Sequence, residues 1–282
     1  RILEALLPAI RVAESGGTPC ALFSDSWEVE PEGLWRRGFA AAFESRFGYG
    51  ITPYMGELDR NPGPASDYFR LRSDYVLGEF FDAFGEICDS VGAVSRVQCH
   101  GAPTDLIAAY AAVDVPESEA MLFDPEFSTI AASAAAQADR PVVSAEAFTC
   151  LYGWEPRPGP APRIRRERAE DVKLVGDALF AAGVNHIVWH GMPYNPPGES
   201  RTFYATTHVG VGGSLAPRLN DLNEYFAGCA ADLRDGRAAA RVAAYLPLED
   251  TVAAGALPPE LSRPSATYHW EMQYQRFPGS LW

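Results

Sequence analysis

The chain has 282 residues, 47% of them hydrophobic, 12% aromatic and 21% charged, with a formal net charge of -14. That composition suits a large buried core, and the acidic balance argues against a nucleic-acid partner, whose backbone is held chiefly by Lys and Arg. The longest apolar runs, 107–113 and 130–136, fall far short of the roughly 20 residues of a membrane helix, so no span is expected. Five cysteines (Cys20, Cys88, Cys99, Cys150 and Cys229), odd in number and without any C-x-x-C, argue against both a disulfide framework and a zinc knuckle.

The first residues form an amphipathic run, Ile2, Leu6, Leu7 and Ile10, without the regions of a signal peptide, and read as lying inside a longer polypeptide. Short apolar runs then alternate with helix-length segments, the pattern of parallel strands joined by crossover helices. The spacing predicts strands at 20–24, 94–99, 111–115, 141–145, 185–189 and 241–246. Helices are predicted at 34–47, 66–91, 104–110, 125–138, 166–182 and 218–235. Gly48, Gly92 and Gly183 stand where glycines end helices. The helix from Ser66 aligns Phe69, Val76, Phe80, Phe84 and Ile87 on one face, a packing face. Two Pro-rich stretches, 153–162 and 191–217, each follow a strand, where loops build the active face of a parallel barrel or form plain surface insertions.

Carboxylates recur at the carboxyl ends of these runs. Glu28 stands in DSWE beside Asp25 and Trp27, and a carboxyl near an indole and another acid can stay protonated and act as a general acid. A helix cap or exposed loop acid is the other reading. Glu146, in SAEAFT, has only small, apolar or uncharged neighbours, an environment costly for an idle carboxylate. Glu117 and Glu119, in VPESE, share one side if the backbone is extended, where they can grip a cation or a hydroxyl pair; on a helix start they favour the dipole instead. His100 in QCHG and His190 in WHG both precede glycine at strand ends and are candidates either for the cleft or for structural roles. Trp27 is a candidate sugar-stacking platform or a core or loop-anchoring aromatic, and Trp189 is a candidate wall for a sugar. Nothing has zinc-ligand spacing, and the glycines at 210–213 lack the strand and helix of a dinucleotide fingerprint.

The ordered set of DSWE, the pattern Trp35, Phe39, Phe43, Arg46, Gly48, Tyr49, then QCHG, VPESE, SAEAFT and NHIVWHGMPY resembles glycoside hydrolase family 106, the α-L-rhamnosidases, over residues 20 to 250. The resemblance implies a (β/α)8 TIM-type barrel within a multidomain chain, of which residues 1–240 are the last five strands. Residues 241–282 then open a following domain or form a C-terminal extension, and further domains lie upstream and downstream. It implies an inverting exo-acting enzyme that cleaves terminal rhamnose from a carbohydrate substrate, with Glu28 as catalytic acid and Glu146 as base. It also implies calcium, held with the help of Glu117 or Glu119, and a sugar site that includes Asp25, Trp27, His100, Trp189 and His190. An inverting pair needs its carboxyls about 6.5–9.5 Å apart. The alternatives are a retaining β-galactosidase-like barrel, a non-catalytic sugar-binding barrel, or an amidohydrolase using Asp25, His100 and His190, which the five histidines poorly support.

Overall fold

The computed structural model describes residues 2–27, 35–120, 128–149, 151, 153–154, 157–158, 166–191, 207–210 and 212–241. Strand and helix alternate along it: α1 Ile2–Ser15, β1 Ala21–Ser24, α2 Phe39–Phe47, α3 Pro62–Val76, α4 Ala83–Ser90, β2 Val94–Gln98, α5 Leu106–Ala112 and β3 Val115–Ala120. Then come α6 Thr129–Gln137, β4 Ser144–Ala147, the short strands β5 Gly153–Trp154 and β6 Arg157–Pro158, α7 Ala169–Ala181, β7 His186–Trp189 and α8 Leu219–Asp235. The pairings within β1–β2 and within β3–β4–β7 are parallel, and β5 pairs with β6 antiparallel, so the class is α/β. The chain divides into two compact units, one up to Asp114 and one from Val115 to Ala240. Among the described residues no helix is long and apolar enough to cross a membrane.

In the first unit, α2 and α3 clasp an aromatic core. Phe39, Phe43, Ile51, Tyr68 and Leu71 are buried at its centre, and Phe47, Tyr49, Tyr54 and Tyr75 pack around them. Rings meet edge-on or tilted, as between Phe43 and Tyr49 at 5.2 Å, the arrangement their quadrupoles favour. Pro62 opens α3, where its missing N–H removes no helical bond. The start of β2 is locked to the turn before β3 by a reciprocal exchange. The Ser95 N–H and hydroxyl donate to Asp114 Oδ2 at 2.9 Å, and the Asp114 N–H donates to Ser95 Oγ at 3.0 Å.

Three expectations are corrected here. Residues 111–115 are not a strand: α5 runs to Ala112, and β3 begins at Val115 and carries VPESEA itself. Likewise β4 runs three residues later than its expected start, so Glu146 lies within the strand rather than beyond it. The helix expected over 66–91 is broken by a π-helical turn, Leu77–Asp82. That turn holds one residue more than an α-turn and rotates the packing face, so Phe81 and Cys88 are fully buried while Ile87 is 44% exposed. Gly48, Gly92 and Gly183 do follow helices with positive φ. The expected strand at 241–246 and most of the two Pro-rich stretches lie outside the described residues.

In the second unit, register is set at the amino ends of β4 and β7. Asn185 accepts from the Val143 N–H at 2.9 Å through Oδ1, donates to the Pro141 carbonyl at 2.9 Å through Nδ2, and offers its own carbonyl to Arg234 of α8. A one-residue slip would turn every side chain of the strand to the other face. With the register so fixed, Glu117 stands opposite Ser144, Glu119 opposite Glu146, and Glu146 opposite Val188.

Candidate functional site

In the second unit, alternation along β3 puts Glu117 and Glu119 on one face, and their register partners Ser144 and Glu146 share it. Glu117 is fully buried, and Ser144 Oγ donates to its Oε2 at 2.5 Å. Glu119 lies one step nearer the strand ends, at 9% exposure. The Glu146 side chain beside it is 16% exposed, and His190 Nε2 approaches its Oε1 at 3.6 Å from the end of β7. The His190 N–H continues the ladder by donating to the Ala147 carbonyl at 3.1 Å. The structure thus gathers Glu119, Glu146 and His190 at one strand rim, with Glu117 and Ser144 beneath.

Trp189 does not join them. It is the register partner of Ala147, not of Glu146, so it faces the other side of the sheet. There it packs on Phe148 at 4.6 Å and Phe226 of α8 at 5.9 Å, and its Nε1 donates to Asn223 Oδ1 at 2.8 Å. It is a helix-facing aromatic rather than a wall of the rim that carries Glu146.

Two His-Gly turns close strand ends in the same way. In the first unit, His100 is fully buried and its Nδ1 meets the Tyr110 hydroxyl of α5 at 3.0 Å. Gly101 has φ 77°, and a Cβ there would stand 2.3 Å from the Trp27 carbonyl oxygen, so only glycine lets the loop after β1 lie against this turn. The Trp27 N–H accordingly donates to the His100 carbonyl at 3.3 Å, and its ring stands edge-on to Phe80 at 5.0 Å. Asp25 is exposed and accepts from the Ser26 N–H at 2.8 Å. In the second unit, Gly191 has φ 109°, and a Cβ would stand 2.4 Å from the Thr207 carbonyl oxygen. Glu28 lies outside the described residues, and with it the separation of the expected acid and base.

Several residues that shape this region escaped the sequence reading. Ser144 is the hydroxyl partner of Glu117. Glu167, 4% exposed, accepts from Ser214 Oγ at 3.0 Å and from the His208 N–H at 3.4 Å, tying the segment that returns toward α8 to the start of α7. Phe148, two residues after Glu146, is fully buried with φ 71°. Strand parity relative to Glu146 was the available signal for Ser144; a buried aromatic at positive φ leaves none.

For calcium, carboxylate oxygens are the right hard donors. Glu119 and Glu146 supply such oxygens side by side. Among the described residues, no group of three or more His, Cys, Asp or Glu side chains gathers closely enough to hold a metal ion.

No protein-family model matches the chain. It is 26% identical over 200 residues to a protein of Formosa agariphila named "Putative beta-glucuronidase", an alignment that covers 64% of this chain and 16% of that protein. Its fold is similar to part of a solved structure, a rhamnosidase from Novosphingobium sp. PP1Y, with a TM-score of 0.59 and 19% identity over 77% of this chain and 22% of that one. The chain therefore spans a minor part of the length of each, and what it shares with the second is a fold.

Proposed function

We propose that this chain is part of the catalytic barrel of a glycoside hydrolase, an inverting exo-α-L-rhamnosidase that removes terminal rhamnose from a glycan or glycoside. The observation that carries the reading is Glu146 at a strand's carboxyl end, mostly buried, flanked by Glu119 in register and by His190 at 3.6 Å. Ligands of parallel α/β barrels bind at that end of the strands. The ordered motifs, the fold likeness to a rhamnosidase and the sequence likeness to a protein named as a glucuronidase all support a glycosidase.

Glu146 is the base in this reading. It takes a proton from the water that attacks the anomeric carbon, while Glu28 protonates the departing oxygen. His190 holds the Glu146 carboxylate toward the water. Where calcium binds, Glu117 or Glu119 would help hold it through carboxylate oxygens. The ion would orient sugar hydroxyls.

A second reading, a β-glucuronide substrate, is favoured by the Formosa relative alone. The test is turnover of an aryl α-L-rhamnoside and an aryl β-D-glucuronide by the complete polypeptide, with the product anomer followed by NMR. Rhamnoside hydrolysis with inversion is expected, together with a loss of about 10²–10⁴-fold in Glu146→Gln. Turnover of the glucuronide alone would replace the substrate assignment, and full activity in Glu146→Gln would remove the base.

A further inference from the structure

We propose that Phe148 is a positioning residue for Glu146: rings from β7 and α8 hold the backbone just past the candidate base in a left-handed turn, and that turn fixes where the carboxylate stands. The inference rests on the reading of Glu146 as the base.

Phe148 is fully buried at φ 71°, a conformation that bulky residues adopt only where their surroundings over-determine it. The surroundings here are specific. Its ring lies 4.6 Å from Trp189 and is stacked at 19° on Phe226, centroids 5.9 Å apart. Trp189 is pinned in turn by its bond to Asn223. Phe226 is confined by Phe180 at 6.0 Å and by Gly176 of α7, where an added Cβ would stand 2.4 Å from its ring. The ring therefore has one place to go, and the backbone follows it.

The turn comes one residue after the last bond of the strand ladder, from the His190 N–H to the Ala147 carbonyl. Were residue 148 to relax to negative φ, the end of β4 would shift relative to β7. The Glu146 carboxylate would then move relative to His190 and to any bound sugar. A displacement of about 1 Å in catalytic geometry can cost roughly 10²-fold in rate. Trp189 thus contributes from behind the sheet.

The experiment compares variants of the complete polypeptide on the substrate that it turns over. Phe148→Ala removes the ring that enforces the turn, and kcat should fall about 10²-fold while KM stays within about threefold. Phe148→Leu, which refills the site, should recover most of the loss. Val172→Ala, a buried α7 change outside the stack, controls for stability and should leave kcat unchanged below the melting transition. Should Phe148→Ala fail to fold, Asn223→Ala loosens Trp189 without opening the core and should lower kcat about tenfold. The proposal is overturned if a folded Phe148→Ala keeps its kcat, if Val172→Ala loses as much, or if Asn223→Ala is unaffected. Glu146→Gln, run alongside, separates the failures. Its inactivity beside a fully active Phe148→Ala removes only this proposal, whereas its full activity removes the base and this proposal together.

Discussion

Replacing Ser144 by alanine takes away the hydroxyl that donates to Glu117 at 2.5 Å, while both residues stay fully buried. A buried polar group that loses a hydrogen-bond partner costs about 1–3 kcal/mol. The change deletes one oxygen and no methylene, so little of the loss comes from a cavity. Ser144→Ala should therefore lower the unfolding free energy by about 2 kcal/mol. Urea titrations followed by circular dichroism would show this as a lower midpoint at an unchanged slope. Completing a double-mutant cycle with Glu117→Gln should give a coupling of about 1 kcal/mol or more, since the two groups share one interaction. A Ser144→Ala stability within about 0.5 kcal/mol of the parent, the range of an ordinary surface change, would refute the argument that this bond anchors β3 to β4.

Gly176→Ala gains about 0.8–1 kcal/mol of helix propensity but drives a methyl to 2.4 Å from the Phe226 ring, an overpacking that costs typically about 1–3 kcal/mol. The net expectation is a lower melting temperature, and a higher one would contradict the packing described. Burial, and then the bond to Asp67, pushes the Tyr49 phenol up to about 12, while burial and the Asp114 charge push the Cys88 thiol up to about 11. Both groups keep their protons longer in the folded chain than in the unfolded one. Stability is thus intact below about pH 9 and declines as pH rises toward about 12. Urea midpoints should fall across that window and fall less in Tyr49→Phe; a flat profile contradicts the assignment. Chelation by EGTA should suppress turnover by the complete polypeptide and added calcium should restore it, whereas undiminished turnover removes the ion from the reading.

The alternation of strands and helices was legible because period-two and period-3.6 patterns change over at the glycines that end the helices, as at Gly48 and Gly183. Where the reading slipped, pairing had overridden composition. The segment Ala111–Val113 is the more apolar, yet the neighbouring VPESEA forms the strand, with Glu117 accepting from the Ser144 hydroxyl that stands opposite it in β4. The π turn at Leu77–Asp82 has no compositional mark, so a regular helix placed Ile87 inward when Cys88 is the buried residue. Trp189 and His190 were read as two walls of one site, although adjacent residues on a strand must face opposite ways, a constraint already present in the sequence. Glu119, Glu146 and His190 were identified as separate stations, but that Glu119 stands opposite Glu146, and Glu117 opposite Ser144, depended on register.

The wide turn between α3 and α4 has a mechanical corollary. Deleting one residue from it, Gly78 for instance, would restore ordinary winding and leave the following segment facing as it does, because the wide turn absorbs the roughly 100° that one extra residue would add in an α-helix. Phe81 and Cys88 would stay on the dry side, Phe81 now four rather than five residues past Val76, so the turn lets the chain carry one extra letter without exchanging the wet and dry sides of the helix that follows.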